Sequence, residues 1–139
     1  MRALFDTNIL LDIGLARKPF AAAAIACFTE TVQTGEPPRI APHALATFYY
    51  IVAQARDRSQ ADTSVSDLLA TVEVVGFDHE MALRSVALSF KDFEDAMIAV
   101  AAEAAAMDCI VTRNVRDFDA SSVPALSPEA FLRKLRGLI

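Results

Sequence analysis

Ala3-Leu4-Phe5-Asp6-Thr7-Asn8-Ile9-Leu10-Leu11-Asp12 is the stretch that decides how the chain reads. Arg2 to Phe5 suits a buried strand. Asp6, Thr7 and Asn8 then crowd three oxygen-bearing side chains into one turn before the apolar Ile9, Leu10 and Leu11. An acid at the end of an interior strand is costly unless something positive meets it. In α/β folds the carboxyl ends of parallel strands are where ligands bind. Asp6 therefore implies a cation and further residues to share it.

Working outward, the chain alternates strands with helices. Pro19 to Thr34 reads as a helix, with Pro in its first turn and Gly35 beyond its end. Arg39 to Ala41 is a short strand, ended by Pro42. Ala44 to Arg56 is helical, because Ala44, Phe48, Ile51 and Ala55 fall on one face. Ser59 is expected to cap a helix to Ala70. Val72 to Phe77 is the next strand, weakened by Gly76, and Asp78 caps a helix through Ser89. Asp92 to Met107 is an alanine-rich helix with a stripe of Phe93, Met97, Val100 and Ala104. Cys109 to Val111 is a strand of buried types, and Val123 to Leu126 an edge strand limited by Pro124. Ser127 caps a last helix with Pro128 at its first position. This alternation predicts an α/β protein: a central parallel sheet covered by helices on both sides, as one domain over residues 1–139.

Composition narrows the class. A chain of 139 residues that is 54% hydrophobic is not a disordered one. No apolar stretch is long enough to span a membrane, and Asp6 and Asp12 interrupt the place where a signal peptide would be apolar. Cys27 and Cys109 lack metal-ligand spacing and read as buried thiols in a reducing compartment, so a cytoplasmic location is expected. Thirteen basic against eighteen acidic residues give a net charge of −5, which argues against broad electrostatic binding to nucleic acid. It does not exclude nucleic acid as a substrate, since a divalent ion held by acids reverses the local sign.

Three places put acids where strands end or helices begin. Asp6 is the first. Asp92-Phe93-Glu94-Asp95 is the second, with Asp92 and Asp95 on one helix face. The third is Thr112-Arg113-Asn114-Val115-Arg116-Asp117-Phe118, where Thr112, Asn114 and Asp117 are hard oxygen donors. Parallel crossovers would gather the first and third at one sheet edge, with Asp95 beside them. Such a set suits Mg²⁺ or Mn²⁺. Those ions lower the pKa of an attacking water and stabilise charge on a scissile phosphate.

At these residues the chain resembles the PIN-domain family, and within it the VapC-type toxins of toxin–antitoxin pairs. The matching segments are Leu4 to Asp12, Asp92-Phe93-Glu94-Asp95-Ala96, and Ile110-Val111-Thr112-Arg113-Asn114 running to Asp117-Phe118, in order along nearly the whole chain. The resemblance implies a three-layer α/β/α fold and a metal-dependent endoribonuclease that cuts RNA, is silenced by a cognate antitoxin and forms a homodimer. Carried over, Asp6 and Asp95 match metal-binding acids, and Asp117 or Asn114 matches the last such position. Thr112 and Asn8 match polar positions that orient ligands or water. One departure stands out: members usually carry a Glu early in the helix after the second strand. Aligned on the aromatic pair Tyr49-Tyr50, its place is taken by Thr47. Three carboxylates then replace four, and Glu94 or Asp92 is the available substitute.

Plainer readings compete at each position. Asp92 is favoured as an N-cap, and Glu94 as a partner of the helix dipole or solvent. Asn114 and Asp117 also suit turns. Arg113 and Arg116 either grip RNA phosphate or pair with nearby acids. His43 reads as a helix-start residue. The expected site is Asp6, Asp95 and Asp117 on the metal, with Asn114, Thr112 and Asn8 in support. The alternatives are a degenerate domain that binds RNA or a protein partner without cutting, and a metal-dependent phosphatase or DNA nuclease. The helices of Pro19–Thr34 and Ala44–Arg56 are expected to carry any dimer or antitoxin surface.

Overall fold

Strands that are apolar throughout need cover on both faces, and parallel strands need long crossovers. Both conditions are met in a computed structural model that describes residues 1–138. Strands β1 (Ala3–Phe5), β2 (Arg39–Ile40), β3 (Glu73–Val74), β4 (Cys109–Val111) and β5 (Ala125–Leu126) form one sheet in the order β3-β2-β1-β4-β5. Every pairing is parallel. Helices α1 (Thr7–Gly14), α2 (Ala21–Gln33), α3 (Pro42–Ala55), α4 (Arg58–Leu69), α5 (His79–Ala87), α6 (Phe93–Ala104) and α7 (Pro128–Leu135) flank it in a three-layer α/β/α arrangement. Among the principal contacts, α1 packs on α2 and α3, α2 on α7, α3 on α4, and α5 on α6.

The central strand is β1, fully buried. The chain leaves it toward β2 on one side and returns to its other side with β4. The boundary between β1 and β4 is thus the topological switch point, where a crevice opens at the strands' carboxyl ends. Phe5 pairs with Val111 across that boundary, so Asp6 and Thr112 emerge side by side. Phe5 also packs edge-on against Phe28 of α2 (4.8 Å) and Phe131 of α7 (5.8 Å), anchoring β1 beneath two helices. At Gly14 an added Cβ would lie 2.5 Å from the Phe48 ring, so the bare glycine lets α1 close on α3.

The differences from the sequence expectation have local causes. Helix α1 was not expected: Ile9, Leu10 and Leu11 are all buried, and a continuous apolar run carries no helical period. Its signal was the cap, since Asp6 is the N-cap of α1. Helix α2 begins at Ala21 instead of Pro19, because a turn from Arg17 to Phe20 precedes it. Asp57, not Ser59, caps α4, its Oδ1 accepting the Gln60 N–H at 2.7 Å. The expected Val72–Phe77 strand shrinks to two exposed edge residues facing Arg39 and Ile40, and the Val123–Leu126 strand shrinks to Ala125–Leu126. Helix α6 ends at Ala104, short of Met107, and Ala106 turns to a positive φ of 56°. The caps at Asp78, Asp92 and Ser127 stand where the sequence puts them.

Cys27 and Cys109 are buried free thiols, and burial pushes both up to about 12. Among the described residues no helix is long and apolar enough to cross a membrane. Ile25 and Val32 of α2, Tyr50 of α3, and Leu83 and Val86 of α5 are exposed.

Candidate active site

Asp6 is 3% exposed at the end of β1. Its backbone N–H donates to the Val111 carbonyl at 2.9 Å, which continues the β1–β4 ladder by one step. Its two carboxylate oxygens are separately held. Oδ1 accepts the Thr7 N–H at 2.8 Å, the N-cap bond of α1. Oδ2 accepts the Thr112 hydroxyl at 2.8 Å. Thr112 is fully buried, and its oxygen in turn accepts the Asn114 N–H at 3.0 Å. One hydroxyl thus spends its donor on Asp6 and an acceptor lone pair on the turn that follows β4.

Helix α6 brings the second group. Asp92 caps it, with Oδ1 accepting the Asp95 N–H at 3.1 Å. The Thr7 hydroxyl donates to Glu94 Oε1 at 3.1 Å, tying the first turn of α6 to the first turn of α1. Helix α3 joins through His43, whose Nε2 lies 3.2 Å from the Glu94 carbonyl. Thr47 is one turn further along α3, on the face that His43 presents to α6. This is the side on which the missing carboxylate would stand. From α6 the Glu94 charge acts on His43, one turn before Thr47.

The third group is the turn after β4. Asn114 precedes a 3₁₀ turn, Val115–Phe118, and its carbonyl accepts the Asp117 N–H at 3.0 Å. Asn8 is half-buried in the first turn of α1. Asp95, Asp92, Lys91, Arg116, Asp117 and Phe90 line a cleft of about 630 Å³, while Asp6 is too buried to line it.

The electrostatics show that these acids share one neighbourhood. Asp95 is pushed up to about 7, first by burial and then by the charges of Asp6, Asp92, Asp117 and Glu94. Asp6 is raised, chiefly by burial and further by Glu94 and Asp92, while its bonds from Thr112 and Thr7 pull the other way. Burial lowers His43. Two helix N-termini, of α1 and α6, add a field that favours anions. Among the described residues no three acidic, His or Cys side chains already converge on one point. Like charges without a counterion turn apart, and Asp6 is held by its two donors. The donor set is oxygen throughout, the chemistry of a hard divalent cation rather than of a soft one.

The two arginines beside Asn114 separate. Arg116 and Lys91 are exposed and line the cleft, and neither makes an ion pair among the described residues. Arg113 is clasped by Asp12, a residue the sequence reading did not place in the site. The signal was available: an acid between Leu11 and Ile13 on an apolar helix needs a buried cation.

A PIN domain family model matches residues 2–116. The chain belongs to the PIN domain family. No curated protein sequence matches it. Among solved structures, VapBC2 from Rickettsia felis, bound to a DNA fragment from its promoter, is similar over 91% of this chain and 98% of its own (TM-score 0.75, 16% identity). A toxin–antitoxin complex from Klebsiella pneumoniae is 25% identical over 91% of this PIN domain and 97% of the other chain (TM-score 0.66). VapBC-1 from nontypeable Haemophilus influenzae covers 93% and 99% (TM-score 0.73, 16% identity).

Proposed function

We propose that this PIN domain is a Mg²⁺- or Mn²⁺-dependent endoribonuclease and the toxin of a toxin–antitoxin pair. The observation that supports the reading is the shared neighbourhood of Asp6, Asp95 and Asp117 beside the switch point of the sheet, with Asp95 raised by burial and then by the charges of Asp6, Asp92, Asp117 and Glu94. PIN domains generally depend on a divalent metal, and the fold is that of toxin–antitoxin structures.

Asp6, Asp95 and Asp117 would hold the ion, and Glu94, bonded to Thr7, supplies the fourth carboxylate in place of Thr47. The ion when bound supplies a lowered pKa for the attacking water and charge stabilisation on the scissile phosphate. Thr112 fixes the direction of Asp6 Oδ2, leaving that oxygen's second lone pair free. Asn114 and Asn8 offer neutral donors to water or ligand. Arg116 and Lys91, which both line the cleft, contact RNA phosphates. The exposed apolar residues of α2 and α3 form the surface for an antitoxin or a second copy.

One pair of observations favours a second reading, a domain that binds RNA or a protein partner without cutting. Thr47 stands where a carboxylate is expected, and the acids do not converge unaided. One experiment separates the readings. RNA, single-stranded DNA and a phosphomonoester are incubated side by side with Mn²⁺ or EDTA, and Mn²⁺ is titrated in a thermal-shift assay. Mn²⁺-dependent cutting of RNA with a rise in Tm supports the ribonuclease. No binding at millimolar Mn²⁺ removes it, and preference for either other substrate reassigns the reaction.

A further inference from the structure

The arginine next to the site's buried threonine does not face the cleft. Arg113 donates from Nε to Asp12 Oδ2 at 2.8 Å and from Nη2 to Asp12 Oδ1 at 3.2 Å, a two-pronged match of fork to carboxylate. Its guanidinium lies over the Phe20 ring, 3.9 Å from the centroid. Asp12 is fully buried, with Arg17 as a second, longer partner at 3.9 Å. The guanidinium's best donors and one face are therefore occupied.

Asp12 sits in α1, whose N-cap is Asp6. Consecutive residues after β4 thus grip two points of one helix: Thr112 holds Asp6, and Arg113 holds Asp12. Six residues of helix separate the points by about 9 Å. One attachment would let the segment pivot; two fix its position and its direction. That segment carries Asn114 and Asp117.

We infer that Arg113 is a positioning residue: clamped on Asp12, it locks the Thr112–Asp117 segment to α1 so that Asp117 and Asp6 are held in register. The inference rests on the proposed metal site for its functional consequence, but not for its structural one. Lysine cannot replace the fork, because a single ammonium cannot span both carboxylate oxygens along fixed directions.

The test uses the full chain and three variants: Arg113→Gln, Asp12→Asn and both together. Arg113→Lys is the fallback, since it keeps a cation opposite buried Asp12 and with it the fold. Amide exchange of Asn114 and Asp117 is read by NMR in EDTA. Exchange should rise on the order of tenfold in each single variant and no further in the double variant. Arg113→Lys should show a smaller rise in the same two amides. With Mn²⁺ alone as the probe, dissociation constants should weaken by roughly 10- to 100-fold, the size expected when a residue behind a ligand is lost. RNA turnover should fall in kcat with KM unchanged. Unchanged amide exchange, with a higher KM and a salt slope smaller by about one, would overturn the inference and make Arg113 an RNA contact. If wild-type protein binds no Mn²⁺, the ribonuclease reading fails, while the exchange data still decide the lock.

Discussion

Asp95→Asn should stabilise the metal-free protein at neutral pH, against the usual effect of altering a partly buried polar group. The substitution keeps shape, and the Asp95 backbone N–H keeps its cap bond to Asp92. What it removes is a charge crowded by Asp6, Asp92, Asp117 and Glu94, which with burial raise Asp95 from an ordinary 3.8 to about 7. The folded state therefore holds a proton that the unfolded chain releases between these two values. Across that window the native state binds more protons, so stability falls as pH rises from about 4 to about 7. Full burial would make this displacement worth about 4 kcal/mol. Asp95 is only half-buried, and screening reduces the figure to about 1–2 kcal/mol. For a chain of this size that is a Tm gain of about 3–8 °C. Urea unfolding in EDTA at pH 4, 6 and 8 reads it directly. The two proteins should match at pH 4 and diverge by pH 8, with the variant ahead. A variant equal to or weaker than wild type at pH 8 would refute the claim that the acids share one field.

Asp12→Ala strips Arg113 of its buried counter-charge, and thermal or urea unfolding should show a loss of about 3–5 kcal/mol, as when one partner of a buried pair is removed. A loss below about 1 kcal/mol would mean the pair behaves as a surface one. Thr112→Val removes the hydroxyl that serves both Asp6 and the Asn114 amide; we expect a loss of about 1.5–3 kcal/mol in urea unfolding and weaker Mn²⁺ binding by calorimetry. Lys91→Ala and Arg116→Ala should each raise KM for RNA and lower the salt slope by about one, with kcat and stability little changed. An unchanged KM in both would remove the cleft as the path of the RNA backbone.

Much of the architecture was legible because its signals are local. Asp78, Asp92 and Ser127 are capping residues whose side chains reach their own helix, and Cys109–Val111 is apolar throughout because it is buried on both faces. The Asp6, Asp95 and Asp117 neighbourhood followed from reading strand ends in a parallel sheet. What stayed hidden depends on contacts distant in sequence. Helix α1 was masked by the continuous apolar run Ile9-Leu10-Leu11, all of it buried. The task of Arg113 is set by Asp12, 101 positions away. The Glu94 carboxylate is placed by Thr7, 87 positions away. Lys91 gains meaning only when the loop before α6 joins Arg116 in the lining of one cleft.

The most direct test is RNA cleavage by wild type and Asp6→Asn in millimolar Mn²⁺. Asn keeps the shape and an oxygen to accept one of the Thr7 and Thr112 bonds, turns its NH₂ toward the other partner, and loses the charge that the ion needs. The account predicts Mn²⁺-dependent cleavage by the wild type, abolished by EDTA, and loss of cleavage in a folded Asp6→Asn variant. Full activity in that variant would contradict it.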